Sequence, residues 1–209
     1  MTFFSVIIPT YNRADSLKKS IQSVLNQSFS DFELLVMDDG SHDHTNDVVE
    51  SFGDLRIIYD WEKNSGGPAN PRNRGIKRAI GVWLCFLDSG DIWYKDKLKI
   101  SYEHINNNVD IIYHDFKTDI KTFIFFQKIL KGRKLVKPTL IDLLVNNNPI
   151  INSSVVVRKD IIERVNYIDE SDDMVAAEDY NTWLKVAEIT DNFLHIPRVL
   201  GVYSILSNN

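Results

Sequence analysis

One cysteine in 209 residues, Cys85 inside an apolar run, excludes an internal disulfide framework and fits a core position in a reducing compartment. No stretch approaches the roughly 20 consecutive apolar residues that cross a bilayer as a helix. The opening Met1-Thr-Phe-Phe-Ser-Val-Ile-Ile8 has neither a positive n-region nor a cleavage site, so a cytoplasmic location is expected. Basic residues are not in excess. The 24 Lys plus Arg against 29 Asp plus Glu leave a net charge of -5, which speaks against nucleic acid as a partner. No Gly-x-Gly-x-x-Gly or other Gly-rich phosphate loop follows the first apolar run, only Pro9-Thr-Tyr-Asn12. That argues against a dinucleotide-dependent reductase and against a nucleotidyltransferase. No repeat, low-complexity segment or composition break marks a linker, so one domain over residues 1–209 is expected.

What the chain does have is an alternation of short apolar runs with helical periodicity. Phe3–Ile8, stopped by Pro9, reads as a buried parallel strand. Leu17, Ile21, Val24 and Leu25 recur on one helical face. Further strands are expected at 32–37, 55–59 and 82–87, with helices near 44–52 and 72–80 between them. This is a βαβαβαβ series and an α/β fold with a mostly parallel central sheet flanked by helices. Beyond residue 100 the pattern loosens. A helix near 94–107, a strand at 109–113, a helix at 140–145, a strand at 150–157 and a helix at 179–189 are expected there. The chain thus divides into a nucleotide-binding half, 1–100, and an acceptor-side half, 101–209.

The informative residues sit where strands end. Phe32-Glu-Leu-Leu-Val-Met-Asp38-Asp39-Gly40-Ser41 closes the second strand on two carboxylates, and Asp88-Ser89-Gly90-Asp91 follows the fourth. In an open α/β sheet, ligands bind beyond the carboxyl ends of parallel strands. Two acidic loops facing one crevice suit ribose hydroxyls, a ring N–H or a phosphate-bound metal ion. Three more pieces complete an ordered set: Asn64-Ser-Gly66, Ala69-Asn-Pro-Arg72-Asn73-Arg-Gly75 and Glu178-Asp179-Tyr180-Asn-Thr-Trp183-Leu184. Together with Pro9-Thr10-Tyr11-Asn12 and Leu87-Asp88-Ser89-Gly90-Asp91-Ile-Trp93, they resemble the family 2 glycosyltransferases, enzymes of the GT-A fold. Each piece alone is unspecific; their order over about 175 residues is not.

The resemblance implies inverting transfer of a sugar from a nucleotide diphosphate donor, a UDP-sugar by preference, to an acceptor hydroxyl in cell-surface polysaccharide synthesis. It assigns donor binding to Pro9, Tyr11, Asn12, Asp38, Asp39, Gly66, Arg72, Asp88 and Ser89. A nucleobase would rest near Tyr11, and Asp39 would accept from a ring N–H or a ribose hydroxyl. Arg72 would bond a carboxylate or the diphosphate. Gly66 and Gly67 allow close backbone approach. Asp179 would be the general base, with Glu178 raising its basicity through like-charge repulsion. Trp183 is read as core.

Two departures fall on the same chemistry. Gly90 stands where the family carries the last acid of Asp-x-Asp, which holds Mg²⁺ or Mn²⁺. Tyr203-Ser204-Ile205-Leu206 replaces a Tyr-Arg-x-His whose His also meets the metal. Asp88 and Asp91 remain as oxygen ligands for a weakened divalent-cation site. The alternative is a catalytically weak or inactive nucleotide-sugar-binding homologue acting as a partner protein. Residues 117–137 carry seven basic residues against one acid, with Phe123, Phe125 and Phe126 among them. They read as a surface loop or as a peripheral contact with the inner face of the membrane, where a lipid-linked saccharide acceptor would be met. Restoring the acid by Gly90→Asp is expected to tighten metal-dependent donor binding; calorimetric titration with UDP and Mn²⁺ that shows no change would sink the weakened-metal reading.

Overall fold

The computed structural model describes residues 2–119 and 128–205. Phe123, Phe125 and Phe126 of the basic segment, and Leu206, lie outside them. The first half runs β1 (Phe4–Thr10), α1 (Ala14–Leu25), β2 (Phe32–Asp38), α2 (Thr45–Glu50), β3 (Ile57–Trp61), α3 (Ala69–Arg78) and β4 (Trp83–Phe86). There follow β5 (Ile92–Trp93), α4 (Lys97–His104), β6 (Ile111–Thr118), β7 (Ile129–Leu130), α5 (Thr139–Asn146) and β8 (Val156–Arg158). The series closes with α6 (Lys159–Arg164), α7 (Glu178–Ile189) and β9 (Phe193–Tyr203).

The expected α/β sheet is present, in the order β3-β2-β1-β4-β8-β6-β9-β5, with β7 beside β6. β1 pairs in parallel with β2 and β4, and β2 in parallel with β3. β1 and β2 are buried along their whole length because helices cover both faces. Alternate residues feed two cores. Val6, Ile8, Leu34 and Val36 meet Leu17, Ile21 and Val24 of α1. Ile7, Leu35 and Met37 meet Ile76 of α3, in a cluster that also takes in Trp183 and Val186 of α7.

Pro9 does not stop the first strand, which continues through it to Thr10. Odd-numbered residues of β1 face β4, as the Leu87 N–H to Ile7 carbonyl bond shows (3.1 Å). The next rung would need an N–H on Pro9, which has none. The ladder therefore ends there, and the chain leaves β4 at Phe86. The chain has also switched sides of β1, going first to β2 and β3 and then across to β4. A crevice opens at such a switch point.

The second half departs further from expectation. Ile150–Val157 is a 3-10 turn at Asn152–Ser154 followed by the short β8, antiparallel to β4 and β6. The eleven-residue β9 was not foreseen, because Pro197 and Arg198 interrupt its pattern. Its pairing with β6 jumps from Ile196 opposite His114 to Val199 opposite Asp115, so both residues fall in a bulge, where proline is tolerated.

α3 lies close on the sheet because Gly75 has no side chain. A Cβ there would stand 2.7 Å from Ile7 Cγ2 and 3.1 Å from Met37 Cγ. Gly75→Ala is expected to lift α3 and lower stability by about 1–3 kcal/mol; an unchanged thermal midpoint would refute the close-packing role.

Candidate active site

A cleft of about 630 Å³ lies beyond the ends of β1, β2 and β4. Pro9 and Tyr11 form one wall, and Tyr11 is 45% exposed. Asp39 lines the cleft, and Ser65 holds it, through its hydroxyl to Oδ1 (2.7 Å) and its N–H to both oxygens. Asn64 Nδ2 donates to the Asp39 carbonyl at 2.9 Å, and Gly66, at φ +94°, lets the loop turn along the cleft. Two residues expected to bind donor are turned to other work. Asp38 is fully buried behind the cleft, accepting from the Ser41 N–H (2.8 Å) and the Tyr59 hydroxyl (2.6 Å). Asn12, at φ +50°, accepts from the His42 N–H, and its own N–H donates to Ser41 Oγ. It ties the β1 and β2 loops together.

The centre of the site is Arg72, 4% exposed on α3. Its Nη2 donates to Asp88 Oδ1 at 2.7 Å and its Nη1 to Glu178 Oε1 at 2.8 Å. Burial alone would lower the guanidinium pKa, but Asp88 and then Glu178 outweigh it and raise it. Both terminal nitrogens of Arg72 are thus engaged by carboxylates, while its Nε is buried without a partner among the described residues. Asp88 is placed from two further directions and still faces the cleft. Its N–H donates to Ser153 Oγ (3.0 Å), Asn152 Nδ2 reaches Oδ1 (3.3 Å), and its side chain stays 38% exposed to the cleft.

Glu178 and Asp179 open α7, yet they face different partners. Glu178 is committed to Arg72. Asp179 accepts only the Tyr180 N–H (2.6 Å) among the described residues. Burial is the main reason its pKa is raised, with Glu178 and Asp88 adding to the rise and Tyr180 and Arg72 opposing it. Repulsion from Glu178, the cause expected from sequence, is therefore secondary to burial, and Arg72 opposes it.

Opposite Arg72, Gly90 adopts φ +127°. A Cβ there meets nothing closer than Ser204 Cβ at 3.7 Å, but a side chain at that φ carries strain of about 1–3 kcal/mol. Asp91 is 3% exposed; Ser204 N–H donates to its Oδ1 (2.8 Å), the Ser153 hydroxyl lies close by, and its Oδ2 is buried with no hydrogen bond among the described residues. Burial first, and Asp88 second, push the Asp91 carboxyl up to about 7. No group of three or more metal-ligating side chains forms among the described residues. The orphaned Asp91 oxygen and the outward Asp88 carboxylate fit a divalent cation that takes its other ligands from phosphate and water.

Several residues of the cleft were not singled out from sequence. Arg13, exposed at the mouth, reaches the Ser89 carbonyl at 3.4 Å. Tyr203, on β9, also lines the cleft. Burial and then the charges of Asp91, Asp88 and Asp179 raise its pKa. Nothing in the local sequence marks Asn152 or Ser153; Tyr203 was visible only as the start of an altered tetrapeptide.

The sheet and the acidic cleft define a GT-A protein. Residues 5–165 match the model of glycosyl transferase family 2, and the chain belongs to that family. It is 32% identical to the UDP-Glc:alpha-D-GlcNAc-diphosphoundecaprenol beta-1,3-glucosyltransferase WfgD of Escherichia coli, over 87% of this chain and 68% of WfgD. An uncharacterized glycosyltransferase of Rickettsia felis is 46% identical over 54% of this chain, a match that spans 19% of that protein. The structure of S. aureus TarS 1-349 in complex with UDP-GlcNAc superposes with a TM-score of 0.78 at 25% identity, covering 99% of this chain and 60% of TarS. The chain thus spans only part of the length of several relatives. No helix among the described residues is long and apolar enough to cross a membrane.

Arg72→Ala would strand Glu178 as a buried, unpaired carboxylate and is expected to cost about 3 kcal/mol. Denaturant unfolding that gives less than about a third of that would show the pair to be incidental.

Proposed function

We propose that this chain is an inverting glycosyltransferase that moves a sugar from a nucleotide diphosphate donor to an acceptor hydroxyl in cell-surface polysaccharide synthesis. UDP is the favoured carrier. The observation that carries the reading is Asp179, partly buried and bonded to no basic side chain among the described residues, next to Glu178 of a clamp whose Arg72 and Asp88 line a nucleotide-sized cleft. TarS, with UDP-GlcNAc bound, and WfgD, named for a UDP-Glc donor and a diphosphoundecaprenol-linked acceptor, support the choice of donor and of a lipid-linked saccharide acceptor. Residues 1–100 would then form the donor half and 101–209 the acceptor half of one transferase unit.

The uracil would lie against Tyr11 and Pro9, with Asp39 accepting from its ring N–H or from a ribose hydroxyl. Gly66 and Ser89 would border the ribose and diphosphate. Asp179 would take the proton of the acceptor hydroxyl as its oxygen attacks the anomeric carbon opposite the diphosphate. The new C–O bond forms as the anomeric C–O bond to phosphate breaks, and the nucleoside diphosphate carries the electron pair away. Asp88 and Asp91 would hold Mg²⁺ or Mn²⁺, which when bound supplies positive charge against the departing diphosphate. Arg13 adds a protein cation at the same corner. Arg72 acts through the carboxylates it holds, as a positioning residue.

The absent acid at Gly90 favours a second reading, a nucleotide-sugar-binding homologue with little turnover that serves a partner protein. Asp179→Asn separates the two. For a transferase, turnover of UDP-sugars should fall about 10²–10⁴-fold with UDP affinity nearly unchanged. The base works deprotonated, so its raised pKa moves the acid limb of the wild-type rate profile above the ordinary carboxylate range. Activity therefore climbs as pH rises through that value, and the variant should lose the limb. Full turnover by Asp179→Asn would overturn its role; no turnover by wild type, with UDP still bound, would favour the binding protein.

A further inference from the structure

α5 turns an apolar stripe outward. Ile141, Leu144 and Val145, at i, i+3 and i+4 of one helical face, are 55%, 57% and 71% exposed. The opposite face buries Leu143, and α7 holds it through the Tyr180 hydroxyl to the Leu143 carbonyl (2.7 Å). The preceding segment is strapped beside the stripe. Arg133 pairs with Asp142 and donates to the Asn147 carbonyl (3.1 Å), while the Val136 N–H donates to Asp142 Oδ2 (3.0 Å). Val136, 66% exposed, extends the apolar surface.

In that strap Lys131, Lys134 and Lys137 are all exposed, and none is in a salt bridge among the described residues. The nearby acids are engaged: Asp142 is 6% exposed beneath Arg133, and Asp191 accepts the Thr139 N–H at 2.7 Å. A chain of net charge -5 thus carries a run of lysines beside its protruding apolar helix face, with Lys137 shared with Asp191.

We propose that this surface, α5 with the 128–137 strap, seats the protein on an anionic lipid bilayer, with Ile141, Leu144 and Val145 entering the interface and the lysines meeting headgroups. The shape fits a bilayer. The stripe protrudes and none of its residues lines the cleft, and lipid accepts protruding side chains without a matching groove. A second copy of the chain fits poorly, since a twofold contact would set the same lysines against each other. The seat is carried by different residues from the cleft and does not rest on the transferase reading. It would deliver the chain to an acceptor held in the membrane.

The test is sedimentation with vesicles of phosphatidylcholine alone or with about 30% phosphatidylglycerol, at low and high salt. Binding is expected only to the anionic vesicles and should fade with salt. Replacing Lys131, Lys134 and Lys137 by Ser should weaken it about fivefold per lysine. Leu144→Ser with Val145→Ser should weaken it about tenfold and leave the salt dependence in place. UDP titration and thermal melting of each variant check that cleft and fold are intact. Three results would overturn the proposal: wild type that ignores anionic vesicles at low salt, a serine pair that binds like wild type, or a wild-type dimer that the serine pair dissociates. Vesicle binding by a protein that fails to bind UDP would instead leave the seat standing and remove the donor-site reading.

Discussion

A single buried guanidinium holds the site together. Arg72 is anchored on a helix of the first half, and its two carboxylate partners come from the end of β4 and the start of α7, 16 and 106 residues away in sequence. Taking the guanidinium and Glu178 out of water is costly, and the arrangement holds because each terminal nitrogen of the planar fork meets an acid. A lysine would offer the same charge without the fork. The position of Asp179 depends on this contact, because the N-terminal turn of α7 is where the clamp ends.

The clamp works at this place because of how the sheet is wound. The chain fills the β2 and β3 side of β1 before crossing to β4, which leaves a crevice between the loops that leave β1 and β4. Pro9 widens the break by withholding the next rung of the β1–β4 ladder. Gly75 brings α3 down onto Ile7 and Met37, and so sets the depth from which Arg72 reaches the two acids. The second half supplies the facing wall. β9 crosses back beside β6 and β5, delivering Tyr203 to the cleft and Ser204 to Asp91.

Much of the first half was legible in the sequence. Strands buried on both faces give continuous apolar runs, and α1 gives a 3.6-residue period, as α7 does in the second half; both signals are local. The β9 bulge and the turn before β8 were not legible, since Pro197 and the polar Asn152-Ser-Ser154 read as interruptions until a pairing partner is known. Within the site, adjacent carboxylates were indistinguishable along the chain. Asp38 and Asp39 are neighbours, but one ends a strand and points into the protein while the other lines the cleft. Glu178 and Asp179 divide in the same way, one neutralised by Arg72 and the other raised by burial. Asn12 looked like a ligand residue and is a staple between two loops.

The sequence by itself determined the class of fold and the family, because alternating apolar runs and ordered short motifs are properties of neighbours along the chain. It also determined which residue types were available for the chemistry, including the missing acid at Gly90. Tertiary structure decided what each of those residues does. Charge state, exposure and orientation depend on partners such as Arg72 and Ser204, far away in sequence. Contacts of that kind exist only once the chain has closed on itself.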